Sequence, residues 1–162
     1  ELGGGVMQNW KSYVLVLLLA MAPVVELRGA IPAGVAMGME LKTVFVLSVI
    51  GNLLPVPLII LFIRKVFAWM KRHGGKLAAI VSKMEAKAAR GAQLFYKYEL
   101  LGLYILVAIP LPGTGAWTGS LVAAMLNLRM RSAVPMIIAG VVTAGLIMLG
   151  VTYGVSGLAS LF

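Results

Sequence analysis

Two short segments of this chain hold residues able to do chemistry. The first is Glu26-Leu27-Arg28-Gly29-Ala30-Ile31-Pro32, charged and helix-breaking, inside a stretch apolar enough for a lipid bilayer. Ionisable groups at membrane depth are costly, so by default they mark a functional site. A carboxylate sheltered there can take up and release a proton, which makes Glu26 the candidate proton carrier. An arginine offers a planar fork of donors for phosphate or carboxylate, so Arg28 is the candidate anion ligand. At i, i+2 the two do not face each other on a regular helix. Gly29 and Pro32 are expected to break the helix and let them converge. The bland alternative is a neutralising ion pair that only stabilises the fold.

The second segment, Pro110-Leu111-Pro112-Gly113-Thr114-Gly115-Ala116-Trp117-Thr118-Gly119, is an uncharged break rich in glycine. Amides around Gly113 and Gly115 can form an anion-binding nest, helped by the hydroxyls of Thr114 and Thr118. Pro112 shapes the turn, and Trp117 can stack on a ligand or fill the space between two hairpins. A tight turn that only permits close packing is the competing reading. Asn52, ahead of Pro55 and Pro57, adds a polar group and freed carbonyls to the same candidate binding set.

Other chemistries find no residues. Cysteine and aspartate are absent and His73 is the single histidine, so no metal-ligand cluster, disulfide framework or Ser-His-Asp set is available. An enzyme is not expected, nor a metal or other cofactor. Composition is 61% hydrophobic and 12% charged, with mean hydropathy +1.01, far more apolar surface than one soluble core can hide. The net charge of +9 is not a nucleic-acid signal, because most basic residues fall in one block from Arg64 to Lys97. By the positive-inside rule that block faces the cytoplasm, which predicts a multi-pass protein of a prokaryotic inner (cell) membrane.

The elements that must position the two motifs follow from length and interruption. Residues 1–6 precede Met7, a candidate initiator, and read as an appended remnant outside the membrane domain of 7–162. Residues 12–39 and 100–128 are apolar and broken midway; 43–63 and 133–162 are less interrupted; 64–98 are basic. Lys42-Thr43 precedes Gly51 as Arg131-Ser132 precedes Gly140, and Pro23 and Pro112 keep the same offset of 89. This layout predicts an all-α membrane protein of two inverted repeats, 7–63 and 99–162, joined by a basic helical linker at 64–98. Each repeat is a re-entrant hairpin plus a transmembrane helix. Four ordinary spanning helices with proline kinks are the alternative, and both layouts obey the charge rule. In the linker, Lys76, Lys83, Arg90 and Lys97 recur every seven residues beside Lys87, with Leu77, Val81, Met84, Ala88 and Phe95 forming an apolar stripe. Such a helix lies on an anionic leaflet or packs as a solvated cytoplasmic helix. Gly140, Gly145, Gly150 and Gly154 read as a close-packing face, within the monomer or across a homodimer.

On its two motifs, over nearly all of 7–162, the chain resembles the bacterial and archaeal small multidrug export proteins. That family resembles in turn the DedA superfamily. The resemblance implies two facing re-entrant hairpins and proton-coupled movement of lipid head groups or carrier lipids. It puts Glu26 in the place of the membrane-embedded acid and Arg28 as anion partner. DedA proteins carry a further arginine in the second hairpin, and this chain has none between Lys97 and Arg129. The family name implies drug efflux, yet an arginine two residues from Glu26 would repel a cation. The expected function is a transporter of a small or lipid-linked anionic or zwitterionic substrate, with protons and membrane lipids as partners. A non-transporting scaffold or assembly factor with a structural Glu-Arg pair is the alternative.

Overall fold

In the computed structural model, residues 2–95 and 98–159 are described, with side chains placed for 10–86 and 98–154. All regular structure among them is helical: α1 Leu2–Met21, α2 Glu26–Ala36, α3 Leu41–Leu53, α4 Pro55–Arg72, α5 Gly75–Phe95, α6 Glu99–Ala108, α7 Ala116–Met125 and α8 Met130–Ala159. Proline and glycine set most boundaries. Pro23 ends α1, because a ring nitrogen cannot continue the amide ladder and restricts the residue before it. Pro110 and Pro112 close α6 in the same way. Pro55 and Pro57 leave Leu54 as a joint, so α3 and α4 form one apolar helix of 32 residues, Leu41–Arg72. Together with Met130–Gly154 it is long and apolar enough to cross a membrane.

One boundary differs from the sequence expectation. The first break lies at 22–25, where Val24 takes φ +73°, and Glu26 through Pro32 are already helical. A helix tolerates the loss of the single hydrogen bond that Pro32 removes when packing holds it on both sides. Leu27 and Ile31 are buried within the main core, and Ala30 lies against Val16 and Ala20 of α1. Gly29 and Pro32 therefore do not turn the chain. In the basic segment, α4 continues past 63 to Arg72, and Lys71 pairs with Glu85 of α5 at 2.7 Å. Val81 is buried, while Lys76, Lys83, Leu77 and Ile80 are exposed. Lys97 lies outside the described residues, as do the side chains of Lys87, Ala88, Arg90 and Phe95.

Helices α1, α2 and α3 pack on one another, as do α6, α7 and α8, and the two groups meet through α2 and α3 on α8 and α4 on α7. Small residues allow the close approach. A Cβ added at Gly51 would stand 2.7 Å from the Leu17 carbonyl of α1 and 2.9 Å from Ala20. One at Gly140 would stand 2.7 Å from Val107 of α6 and 3.1 Å from the Tyr104 carbonyl. Gly145 packs on Phe45, but Gly150 and Gly154 meet nothing, so only half of the glycine stripe is a packing face within the chain. The outer surface is apolar: Leu58, Phe62, Leu146 and Val151 are more than half exposed. In water such a face would be an aggregation liability; against lipid it costs nothing.

Candidate functional site

The two broken segments meet. Glu26 opens α2 with φ +48° and only 3% exposure, and its Oε1 accepts the Trp117 amide at 3.0 Å. The Ala116 amide lies against the same carboxylate. These are the first two amides of α7, donors that a helix start leaves unmet and that favour negative charge. The residue preceding α7 is Gly115, which has no side chain to cap them. The cap comes instead from α2, some 90 residues away in sequence. Gly115 is the residue this arrangement requires: its φ is +120°, and an added Cβ would fall on the Glu26 carboxyl group.

Arg28, two residues on, reaches a different part of the same loop. Its Nη1 donates to the Leu111 carbonyl, and its Nη2 donates to Thr114 Oγ1 at 2.7 Å and the Ile109 carbonyl at 3.4 Å. Loop 109–115 lies outside any helix, so those carbonyls are free to accept. The Thr114 hydroxyl ties the loop to itself, 2.7 Å from the Ile109 carbonyl and 2.8 Å from that of Leu111, and it accepts the Leu111 amide at 3.2 Å. Trp117 completes the junction by donating Nε1–H to the Met21 carbonyl at the end of α1, 3.1 Å away. Thr118 Oγ1 donates back to the Gly113 carbonyl at 3.0 Å.

Two expectations are corrected by this geometry. Glu26 and Arg28 form no ion pair with each other; each is bonded to the opposite segment. The amide nest also exists, but the anion it holds is the chain's own Glu26 rather than a ligand; the Thr114 hydroxyl bonds the loop carbonyls and accepts from Arg28, and that of Thr118 donates to the Gly113 carbonyl. The structure thus brings together Glu26, Arg28, Thr114, Gly115 and Trp117. Pro112 and Gly113 sit exposed at the loop's tip, and Gly29 faces Val25. Pro32 lies further along α2. Asn52 is apart, on α3, 1% exposed with Oδ1 unpartnered. Ser48, one turn before it, is 0% exposed with an unpartnered Oγ and was not singled out from the sequence. Its spacing of four from Asn52, just ahead of two prolines, was the available signal.

Chemically, the junction is a two-point clamp. A carboxylate holds the start of α7 and a guanidinium holds the loop before it. Loss of charge at Glu26 would weaken the first hold, and an anion can compete with neutral carbonyls for the second, because hydrogen bonds between charged partners are the stronger kind.

A helical fold with a lipid-compatible surface and a charged junction between broken helices defines an integral membrane protein. The chain belongs to the family described as Putative small multi-drug export protein, whose sequence profile matches residues 26–147. The match begins at Glu26 and takes in both halves of the clamp. No curated protein and no solved structure matches the chain, and none of these comparisons bears on the kinship with DedA proteins drawn from the sequence.

Proposed function

We propose that the protein is a proton-coupled transporter for a small or lipid-linked anionic or zwitterionic molecule, with Glu26 as proton carrier and Arg28 as anion ligand. The observation that carries this reading is the clamp, in which one acid and one base hold two broken helices of a membrane domain together. Protonation of Glu26 removes the charge that the α7 amides hold, which loosens one point. An anionic group on Arg28 displaces the Leu111 and Ile109 carbonyls, which loosens the other. Either event opens a path at the junction, and coupling follows if both are needed.

Inverted hairpin repeats are part of the same proposal, and several features support them. Helices α2, α6 and α7 have 11, 10 and 10 residues. At 1.5 Å per residue each is about 15–17 Å long, half of a bilayer's hydrocarbon core of about 30 Å. Helices α2 and α7 end alike at an offset of 89: Gly38 (φ +73°) matches Asn127 (φ +51°), and the bond from the Met39 amide to the Gly34 carbonyl matches that from Leu128 to Ala123. Glu26 and Gly115, which touch, are also 89 apart, as residues near a pseudo-twofold axis should be. In this layout the domain sits in a prokaryotic inner membrane with α5 and its lysines in the cytoplasm.

The test is a reconstitution. Liposomes carrying the protein, a head-group-labelled phosphatidylglycerol and an internal pH dye would report lipid movement and proton entry together. We expect both signals under a pH gradient. Each should fall about tenfold or more in Glu26→Gln, which cannot carry a proton, and in Arg28→Ala, which loses charge-assisted bonds of about 1.5–3 kcal/mol. Wild-type rates in both variants would reject the reading, and movement of ethidium in place of the anionic probe would reject the substrate class.

A structural role is the second reading, and one observation favours it: both charges are already satisfied by the chain's own groups. For a scaffold, Glu26→Gln and Arg28→Ala lower thermal stability and no transport is found in the wild type.

A further inference from the structure

We infer that Ser48 and Asn52, with the carbonyls of Gly51 and Leu53, form a binding site for a small monovalent cation, sodium in the first instance, at the α3–α4 joint. Ser48 Oγ and Asn52 Oδ1 are fully enclosed and have no hydrogen-bond partner. Burying an unmet acceptor costs about 1–3 kcal/mol, and a bound water or ion is one way to meet it. The two side chains are one turn apart, so they lie on one face of α3. Four residues after Gly51 and four after Leu53 come Pro55 and Pro57, which have no amide hydrogen, so neither carbonyl can receive its helical bond.

Each of these groups can turn an oxygen lone pair to one point: Asn52 Oδ1 and the two carbonyls only accept, and the Ser48 hydroxyl can point its hydrogen away. Among the described residues the remaining buried unpartnered atom is a donor, Arg64 Nε, but it is twelve residues beyond Asn52, about 18 Å along the helix. A cation accepts lone pairs from all four oxygens at once and needs no donor in return, whereas a water among them could donate to only two. Broken helices that turn freed carbonyls toward a coupling ion are a known device of membrane transporters. Packing alone does not call for these polar groups. The residues 89 further on, Ile137 and Val141, are apolar and equally buried.

The site is separate from the clamp, and its test reads stability, so its success or failure is distinct from that of the transport reading. Purified protein in detergent is unfolded by heat in increasing sodium, potassium or choline chloride at constant ionic strength. A ligand that binds only the folded state raises the midpoint saturably. We expect a rise of several degrees with sodium and none with choline, loss of the rise in Ser48→Ala/Asn52→Val, and a response at lower sodium in Asn52→Asp. The double variant replaces unmet polar groups with apolar ones and should be as stable as wild type without sodium. Radioactive sodium bound to wild type but not to the double variant would support the site directly. A midpoint indifferent to sodium in the wild type, as for a site holding only water, overturns the proposal. A sodium response that survives in the double variant does the same.

Discussion

At the scale of single residues, the contact between Glu26 and Gly115 is the tightest made by any glycine among the described residues. Gly115 combines a left-handed φ with a neighbour that leaves no room for a methyl group. Gly115→Ala should therefore cost about 2 kcal/mol or more in thermal unfolding, from backbone strain and overpacking together. Glu26→Gln keeps an acceptor for the Trp117 amide and loses only its charge at the helix start, about 0.5–1 kcal/mol. In the pair Glu26→Ala and Gly115→Ala the collision disappears, so the double variant should be less destabilised than the two singles added. Strict additivity would mean that the carboxylate does not lie against Gly115. Val24 is a β-branched residue at φ +73° and 91% exposed. Val24→Gly should gain about 1 kcal/mol by relieving strain. Charge inside an apolar run made Glu26 and Arg28 legible from the sequence. Their partners were not, because adjacency suggested that the two bind each other, and nothing local says that each bonds a loop some 80–90 residues away. Ser48 was missed for a related reason: a lone serine in an apolar helix is common, and only its lack of a partner distinguishes it.

At the scale of elements, proline and glycine announced the breaks but not where each helix resumes. The sequence expectation put the first break at Gly29 and Pro32, whereas four residues, 22–25, make the turn and α2 carries Pro32 inside it. Pro32 removes one donor and clashes with one carbonyl, and a short helix packed on α1, α3 and α8 can absorb that. The glycines of α8 looked alike in sequence and are not alike in the fold. Gly51→Ala and Gly140→Ala press a methyl group into a neighbouring helix and should each cost about 1–3 kcal/mol. Gly150→Ala and Gly154→Ala meet open space and replace a poor helix former by a good one, so they should be neutral or stabilising by up to about 1 kcal/mol. Unfolding midpoints of the four variants check this. A large loss at Gly150 or Gly154 would mean that a second copy covers that face.

At the scale of the whole molecule, the two ways of threading this chain through a bilayer make different demands on helix length. Three helices of 10 or 11 residues are too short to cross alone, and the apolar part of α1, Trp10–Met21, is little longer. In pairs, α1 with α2 and α6 with α7, they can enter and leave by the same side. Then α3–α4 crosses once and α8 once, in opposite senses. Because cysteine is absent, the arrangement can be mapped with single cysteines and a membrane-impermeant thiol reagent on intact cells. With re-entrant pairs, Trp10→Cys and Met37→Cys label from outside, while Lys76→Cys and Arg129→Cys label only after lysis. With four spanning segments, positions 37 and 76 give the same result, but 10 and 129 exchange sides. Positions 10 and 129 therefore carry the decision. If both exchange, the two charged and glycine-rich breaks lose their inverted relation, and the clamp between Glu26, Arg28 and loop 109–115 becomes a brace between kinked spanning segments rather than the meeting point of two hairpins.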